Sequence, residues 1–145
     1  MSDEVLTLSQ VKMPGTARTK DDAIREAGQI LVDAGAVDPG YIDSMFDRER
    51  SVSTYMGNYL AIPHGTNESK ESIKRSALSV IRYPEPIDWD GNEVLFALGI
   101  AGYQGGHMDI LSRIAIVFSD TDQVDKLVAA QSAEAIYDLL NAVNE

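Results

Sequence analysis

Glu93-Val94-Leu95-Phe96-Ala97-Leu98-Gly99-Ile100-Ala101-Gly102 contains the longest near-continuous apolar run of the chain, Val94 to Ala101. It is far shorter than the ~20 residues a membrane span needs. Turn residues bound it on both sides, Asp90-Gly91 before and Gly105-Gly106 after. A run of this length, apolar on both alternating faces, predicts a central strand buried on both sides. Upstream, Ala77 to Tyr83 reads as a partner strand ended by Pro84-Glu85-Pro86, and the Asp-Gly pair marks the turn after it. Further back, Leu60-Ala61-Ile62 reads as a short strand stopped by Pro63, with Tyr55 to Tyr59 as a turn and residues 67–74 as a polar surface loop or short helix.

Helical patterns lie on either side of these strands. Downstream, His107 to Phe118 places Leu111, Ile114, Ala115 and Phe118 on one face. Asp120 or Thr121 caps the next helix, with Val124, Leu127 and Val128 inward. Ser132 caps the last, with Ile136, Leu139, Leu140 and Val143 inward. Upstream, Thr19 with Asp22 resembles an N-cap. Ile24, Ala27, Leu31 and Ala34 then recur at helical spacing before Gly35 stops the helix. Asp38-Pro39 opens a second helix running to about Arg50, with Tyr41, Ile42, Met45 and Phe46 as its apolar stripe. A strand near residues 4–12 completes the order β-α-α-β-β-β-α-α-α. That order implies one sheet with helices on both faces, an α/β fold.

The 145 residues suit a single domain over 1–145, and 44% hydrophobic with 24% charged residues is globular composition. The absence of cysteine excludes disulfides, thiolate nucleophiles and Cys-ligated metals. The N-terminus shows no signal-peptide pattern, so a soluble, cytoplasmic protein without membrane insertion is expected. The net charge of −11 argues against nucleic acid as a partner. Yet residues 48–82 hold six basic and three acidic side chains, which suggests a local site for an anion.

The chain has two histidines, His64 and His107. His64 sits in Ile62-Pro63-His64-Gly65-Thr66, where Pro63 restricts the backbone before it and Gly65 permits close approach after it. A histidine so placed stands at a strand end, where α/β sheets gather ligands; the alternative is a surface turn that happens to contain it. His107 follows Gly105-Gly106 at a helix start, where the dipole favours neutral imidazole able to donate to an anion, or simply a capping role. Arg48 and Arg50 end the second helix, where either could be a dipole partner. No serine-hydrolase elbow, P-loop or dinucleotide fingerprint occurs. A metal site from His64, His107 and Asp109 matches no zinc spacing, and no cofactor is implied. A histidine nucleophile with a second histidine and an arginine suits phosphoryl transfer, since neutral imidazole carries a lone pair near pH 7.

Gly57-Asn58-Tyr59-Leu60-Ala61-Ile62-Pro63-His64-Gly65-Thr66 resembles the active-site motif of fructose/mannitol-type enzyme IIA proteins of the bacterial phosphoenolpyruvate-dependent sugar phosphotransferase system. Thr19 to Ile24, Asp47-Arg48-Glu49, Tyr83 to Trp89, Gly99 to Gly102 and Gly106 to Leu111 fit the same family. Pro-His-Gly-Thr followed by Asn67-Glu68-x-Lys70 is most similar to mannitol-specific members, with nitrogen-regulatory relatives as the alternative. The resemblance implies a mixed sheet flanked by helices. It also implies that the phosphocarrier HPr phosphorylates His64 on Nε2 and that the group passes to a cysteine of a IIB component, on another chain because this one has none. A membrane IIC component would perform transport. Arg48 would hold the phosphoryl oxygens and His107 would donate to them.

Overall fold

The computed structural model describes residues 5–51, 53–65, 71–103 and 107–141, with the side chain of His107 excepted. A mixed five-stranded sheet runs in the order β1-β4-β5-β3-β2. Its strands are β1 (Val11–Lys12), β2 (Tyr55–Gly57), β3 (Leu60–Ala61), β4 (Ala77–Trp89) and β5 (Asn92–Ala101). β1 runs parallel to β4 and β3 parallel to β5, while the β4–β5 and β2–β3 pairs are antiparallel. The apolar run is thus the middle strand, and all of it from Val94 to Ala101 is buried.

Helices α1 (Lys20–Asp33) and α2 (Tyr41–Ser51) cover one face; α3 (His107–Phe118), α4 (Thr121–Ala129) and α5 (Ala133–Leu140) cover the other. Side-chain size along β5 separates the two sides. Phe96, Leu98 and Ile100 pack toward α3–α5, with Phe96 edge-on to Phe118 at 5.7 Å. Ala97 and Ala101 face α1 and α2. Gly99 lies under α1, where a Cβ would sit 2.5 Å from Ser79 Oγ and 3.2 Å from the Ala27 carbonyl oxygen, so a side chain here would have to displace Ser79. Ser79 joins these layers, donating to Ala27 O and accepting from Gly99 N.

Local signals hold where the chain is its own partner. Thr19 caps α1 by accepting from Asp22 N, and Gly35 leaves the helix at φ +75°. Asp120 and Ser132 cap α4 and α5. Asp90 and Gly91 turn β4 into β5 with positive φ at both positions. Val143 lies outside the described residues.

Three expectations need correction. β4 does not end at Pro84: it continues to Trp89, and the register breaks between Arg82 and Ile87. Pro84-Glu85-Pro86 occupies that bulge, exposed, where no ladder N–H is required. Tyr55 to Gly57 is a strand rather than part of the turn, hairpinned to β3 through Asn58 and Tyr59, both at positive φ. The strand expected near 4–12 shrinks to Val11–Lys12. A 3₁₀ turn over Leu8–Gln10 interrupts it, and Gln10 is drawn inward to donate to Val5 O and Leu78 O.

Candidate functional site

β3 leads directly to His64. Leu60 and Ala61 pair with Phe96 and Ala97, and His64 pairs with Ile100 in the same parallel register. Pro63 lacks an N–H, but its carbonyl accepts from Ile100 N at 3.0 Å, so the ladder survives the proline. His64 therefore stands at the carboxyl end of two parallel strands, half-buried, where an open α/β sheet places its ligands. Its Nδ1 lies 2.7 Å from the Ile62 carbonyl oxygen. A carbonyl can only accept, so Nδ1 carries a proton, and in the neutral ring the lone pair falls on Nε2. In that tautomer the outward nitrogen, Nε2, is the one that could attack an electrophile.

The residue after His64 is held as well. Gly65 N donates to the Tyr41 hydroxyl at 2.8 Å, and that hydroxyl donates to Ile100 O at 2.8 Å. Tyr41 is the first residue of α2 and is 2% exposed. Burial pushes its hydroxyl up to about 12, against the opposing pull of the Gly65 N–H, so it stays protonated at neutral pH. Sequence reading placed Tyr41 in the apolar stripe of the helix and missed this role. Its partners lie 24 and 59 residues away, and no local pattern signals them.

The second half of α2 separates the two arginines. Arg50 is exposed and pairs with Asp47, also exposed, at 2.6 Å. Arg48 is half-buried. Tyr41 and Arg48 are seven residues apart, two helical turns, and so share one face of α2. Between the arginines, Glu49 is buried. It accepts from Thr54 N at 3.0 Å, from the Thr54 hydroxyl and from Trp89 Nε1 at 3.2 Å, and it faces Lys20 Nζ at 3.3 Å. Burial pulls Lys20 down, but its bonds to Asp90 and Glu49 outweigh that and hold it above its ordinary value.

His107 is the first residue of α3, six positions beyond the end of β5. Its backbone therefore starts the helix that follows the strand bearing Ile100. Its side chain, with Gly105-Gly106 and the Thr66, Asn67, Glu68 and Lys70 of the motif, lies outside the described residues. Among the described residues no group of three or more His, Asp or Glu side chains could hold a metal. None of their helices is long and apolar enough to cross a membrane.

Fold and site define an α/β sheet protein with the imidazole of His64 at the carboxyl end of parallel strands, its Nδ1 held on a backbone carbonyl. The family model described as "Phosphoenolpyruvate-dependent sugar phosphotransferase system, EIIA 2" matches residues 4–143. The chain is 48% identical over 145 residues to the mannitol-specific phosphotransferase enzyme IIA component of Halalkalibacterium halodurans, covering all of both chains. It is 47% identical over 133 residues to the enzyme of the same name in Staphylococcus aureus, covering 92% of each. The fold is similar, at a TM-score of 0.88 and 28% identity, to an NMR structure of the complex of enzyme IIAMTL and phosphorylated enzyme IIBMTL from Escherichia coli. That match covers 94% of this chain and 97% of the other. This chain belongs to the EIIA 2 family of the phosphoenolpyruvate-dependent sugar phosphotransferase system.

Proposed function

We propose that this protein is the phosphocarrier of a mannitol uptake system, accepting a phosphoryl group from phospho-HPr on Nε2 of His64 and passing it to a IIB cysteine. The observation that carries the reading is the Nδ1–Ile62 contact, which supports Nε2 of the neutral ring as the attacking nitrogen. Mannitol as the sugar rests on the mannitol-specific relatives at 47–48% identity. IIB as acceptor rests on the Escherichia coli complex. The protein acts in the cytoplasm, beside a membrane IIC component.

In the first step the Nε2 lone pair attacks phosphorus in line with the donor's P–N bond. The Nε2–P bond forms as the donor bond breaks, and the donor imidazole leaves with the electron pair. In the second step a cysteine thiolate attacks the same phosphorus, an S–P bond forms, and the pair returns to Nε2. Catalysis of this kind is mostly positioning and charge stabilisation. Arg48 supplies a planar fork for two phosphoryl oxygens, and His107 supplies one further N–H.

The test is incubation with phosphoenolpyruvate, enzyme I and HPr, followed by intact-mass spectrometry. Wild type is expected to gain one acid-labile phosphoryl group. His64→Ala is expected to gain none while folding normally, since the side chain is only half-buried. Labelling that persists in His64→Ala overturns the reading.

A further inference from the structure

Phosphoryl transfer through His64, Arg48 and His107 leaves one buried polar group of the site without a part, the Tyr41 hydroxyl. In a regular parallel ladder, a residue such as Ile100 bonds the carbonyl before its partner and the N–H after it. Here the first rung is direct, Ile100 N to Pro63 O at 3.0 Å. At the second rung the Tyr41 hydroxyl intervenes, accepting from Gly65 N and donating to Ile100 O, both at 2.8 Å. One β5 residue thus holds the backbone on both sides of His64, directly before it and through Tyr41 after it. The hydroxyl belongs to α2, which carries Arg48 two turns further along the same face. The same bond that holds Gly65 therefore also sets α2 against the nucleophile.

We propose that Tyr41 is a positioning residue for His64. Its hydroxyl fixes the backbone after the histidine, which keeps the imidazole on Ile62 O in the Nδ1–H tautomer and sets the Arg48 helix at its working distance. Burial keeps the hydroxyl protonated through the physiological range, so it can donate and accept at once. The Gly65 N–H is occupied by this bond and is withheld from the phosphoryl group. The effect on transfer rate rests on the reading of His64 as phosphoryl acceptor; the effects on tautomer and backbone do not.

Tyr41→Phe keeps the ring and removes the hydroxyl, and Tyr41→Met is a second variant that fills the site without one. Three quantities are measured on each variant and wild type: Gly65 amide exchange, the ¹⁵N resonances of the His64 ring, and the rate of phosphorylation by phospho-HPr. Wild type is expected to show a protected Gly65 amide and a ring signature with Nδ1 protonated. In either folded variant, Gly65 exchange should rise at least tenfold, the ring resonances should move toward the average of two tautomers, and transfer should slow at least fivefold. A folded variant with the wild-type ring signature and rate overturns the proposal and leaves Tyr41 a packing residue. Should both variants fail to fold, wild type alone decides: an unprotected Gly65 amide or a mixed tautomer overturns it, and protection with a single tautomer upholds it. If wild type takes no phosphoryl group on His64, the functional reading fails, while the exchange and ring measurements still decide the role of Tyr41.

Discussion

The indole Nε1 of Trp89 donates to the carboxylate of Glu49 at 3.2 Å, joining the last turn of α2 to the far end of β4. The same oxygen takes the Thr54 N–H at 3.0 Å and faces Lys20 Nζ at 3.3 Å. Glu49 thereby fixes the rotation of α2 from the core side, and Arg48, one residue earlier, inherits its direction. Glu49→Gln keeps the shape but places an amide against donors and leaves the half-buried Lys20 with Asp90 as its remaining anion. We expect a loss of about 2–3 kcal/mol in urea unfolding. The emission of Trp89, the sole tryptophan, should also shift. An unchanged midpoint and spectrum would show that the carboxylate is not what holds the end of α2.

Arg48 and Arg50 are expected to part company in kinetics. Losing charged hydrogen bonds worth about 1.5–3 kcal/mol corresponds to roughly 10–100-fold in rate. Arg48→Gln should slow transfer from phospho-HPr by that amount, and Arg48→Lys should keep part of the rate because it retains charge without the fork. Arg50→Gln should change little, as Arg50 is engaged with Asp47 at the surface. Equal losses at the two positions would mean that the clamp is misassigned.

His107→Ala should still accept the phosphoryl group, more slowly, and should hand it to IIB poorly. The expected cost is about 1–3 kcal/mol, the value of one hydrogen bond to a charged group. Rapid-quench measurement of the two half-reactions separates them, and wild-type behaviour in both would reduce His107 to the residue that begins α3.

Acid stability should depend on Glu26, away from the chemistry. Its carboxylate accepts from Lys12 Nζ, Thr16 N and hydroxyl, Ala17 N and the Tyr83 hydroxyl, so it gathers the segment between β1 and α1. Burial pushes Glu26 up, but the bonds from Lys12, Thr16 and Tyr83 outweigh it and hold the carboxyl at about 2, against an ordinary 4.5. A group depressed in the folded state stabilises above its unfolded value and loses that contribution as pH falls. The stabilisation is therefore complete above about pH 4.5 and disappears between there and pH 2. With allowance for solvent screening it amounts to about 1–2 kcal/mol. In Glu26→Gln, the fall in melting temperature between pH 5 and pH 3 should be shallower than in wild type. An identical slope would remove Glu26 from the acid transition.

The elements that could be read in the chain are those whose causes are local. Thr19, Asp120 and Ser132 cap helices by bonding N–H groups two or three residues away, and Asp90-Gly91 turns because its own sterics allow positive φ. The Val94–Ala101 run needs a buried strand whatever lies beside it, and Pro63 and Gly65 mark His64 through their own backbones. Tertiary structure decided the rest. Pro84 and Pro86 read as a stop, yet β4 passes them because β5 stays paired on either side of the bulge. The 4–12 alternation lost most of its strand because Gln10 found carbonyls at Val5 and Leu78. Tyr41 and Glu49 look like ordinary members of an amphipathic helix, since their meaning lies in Gly65, Ile100, Thr54 and Trp89. A hydroxyl or carboxylate acquires its partner only when distant segments are packed against it, and the free energy that packs them comes from the whole core.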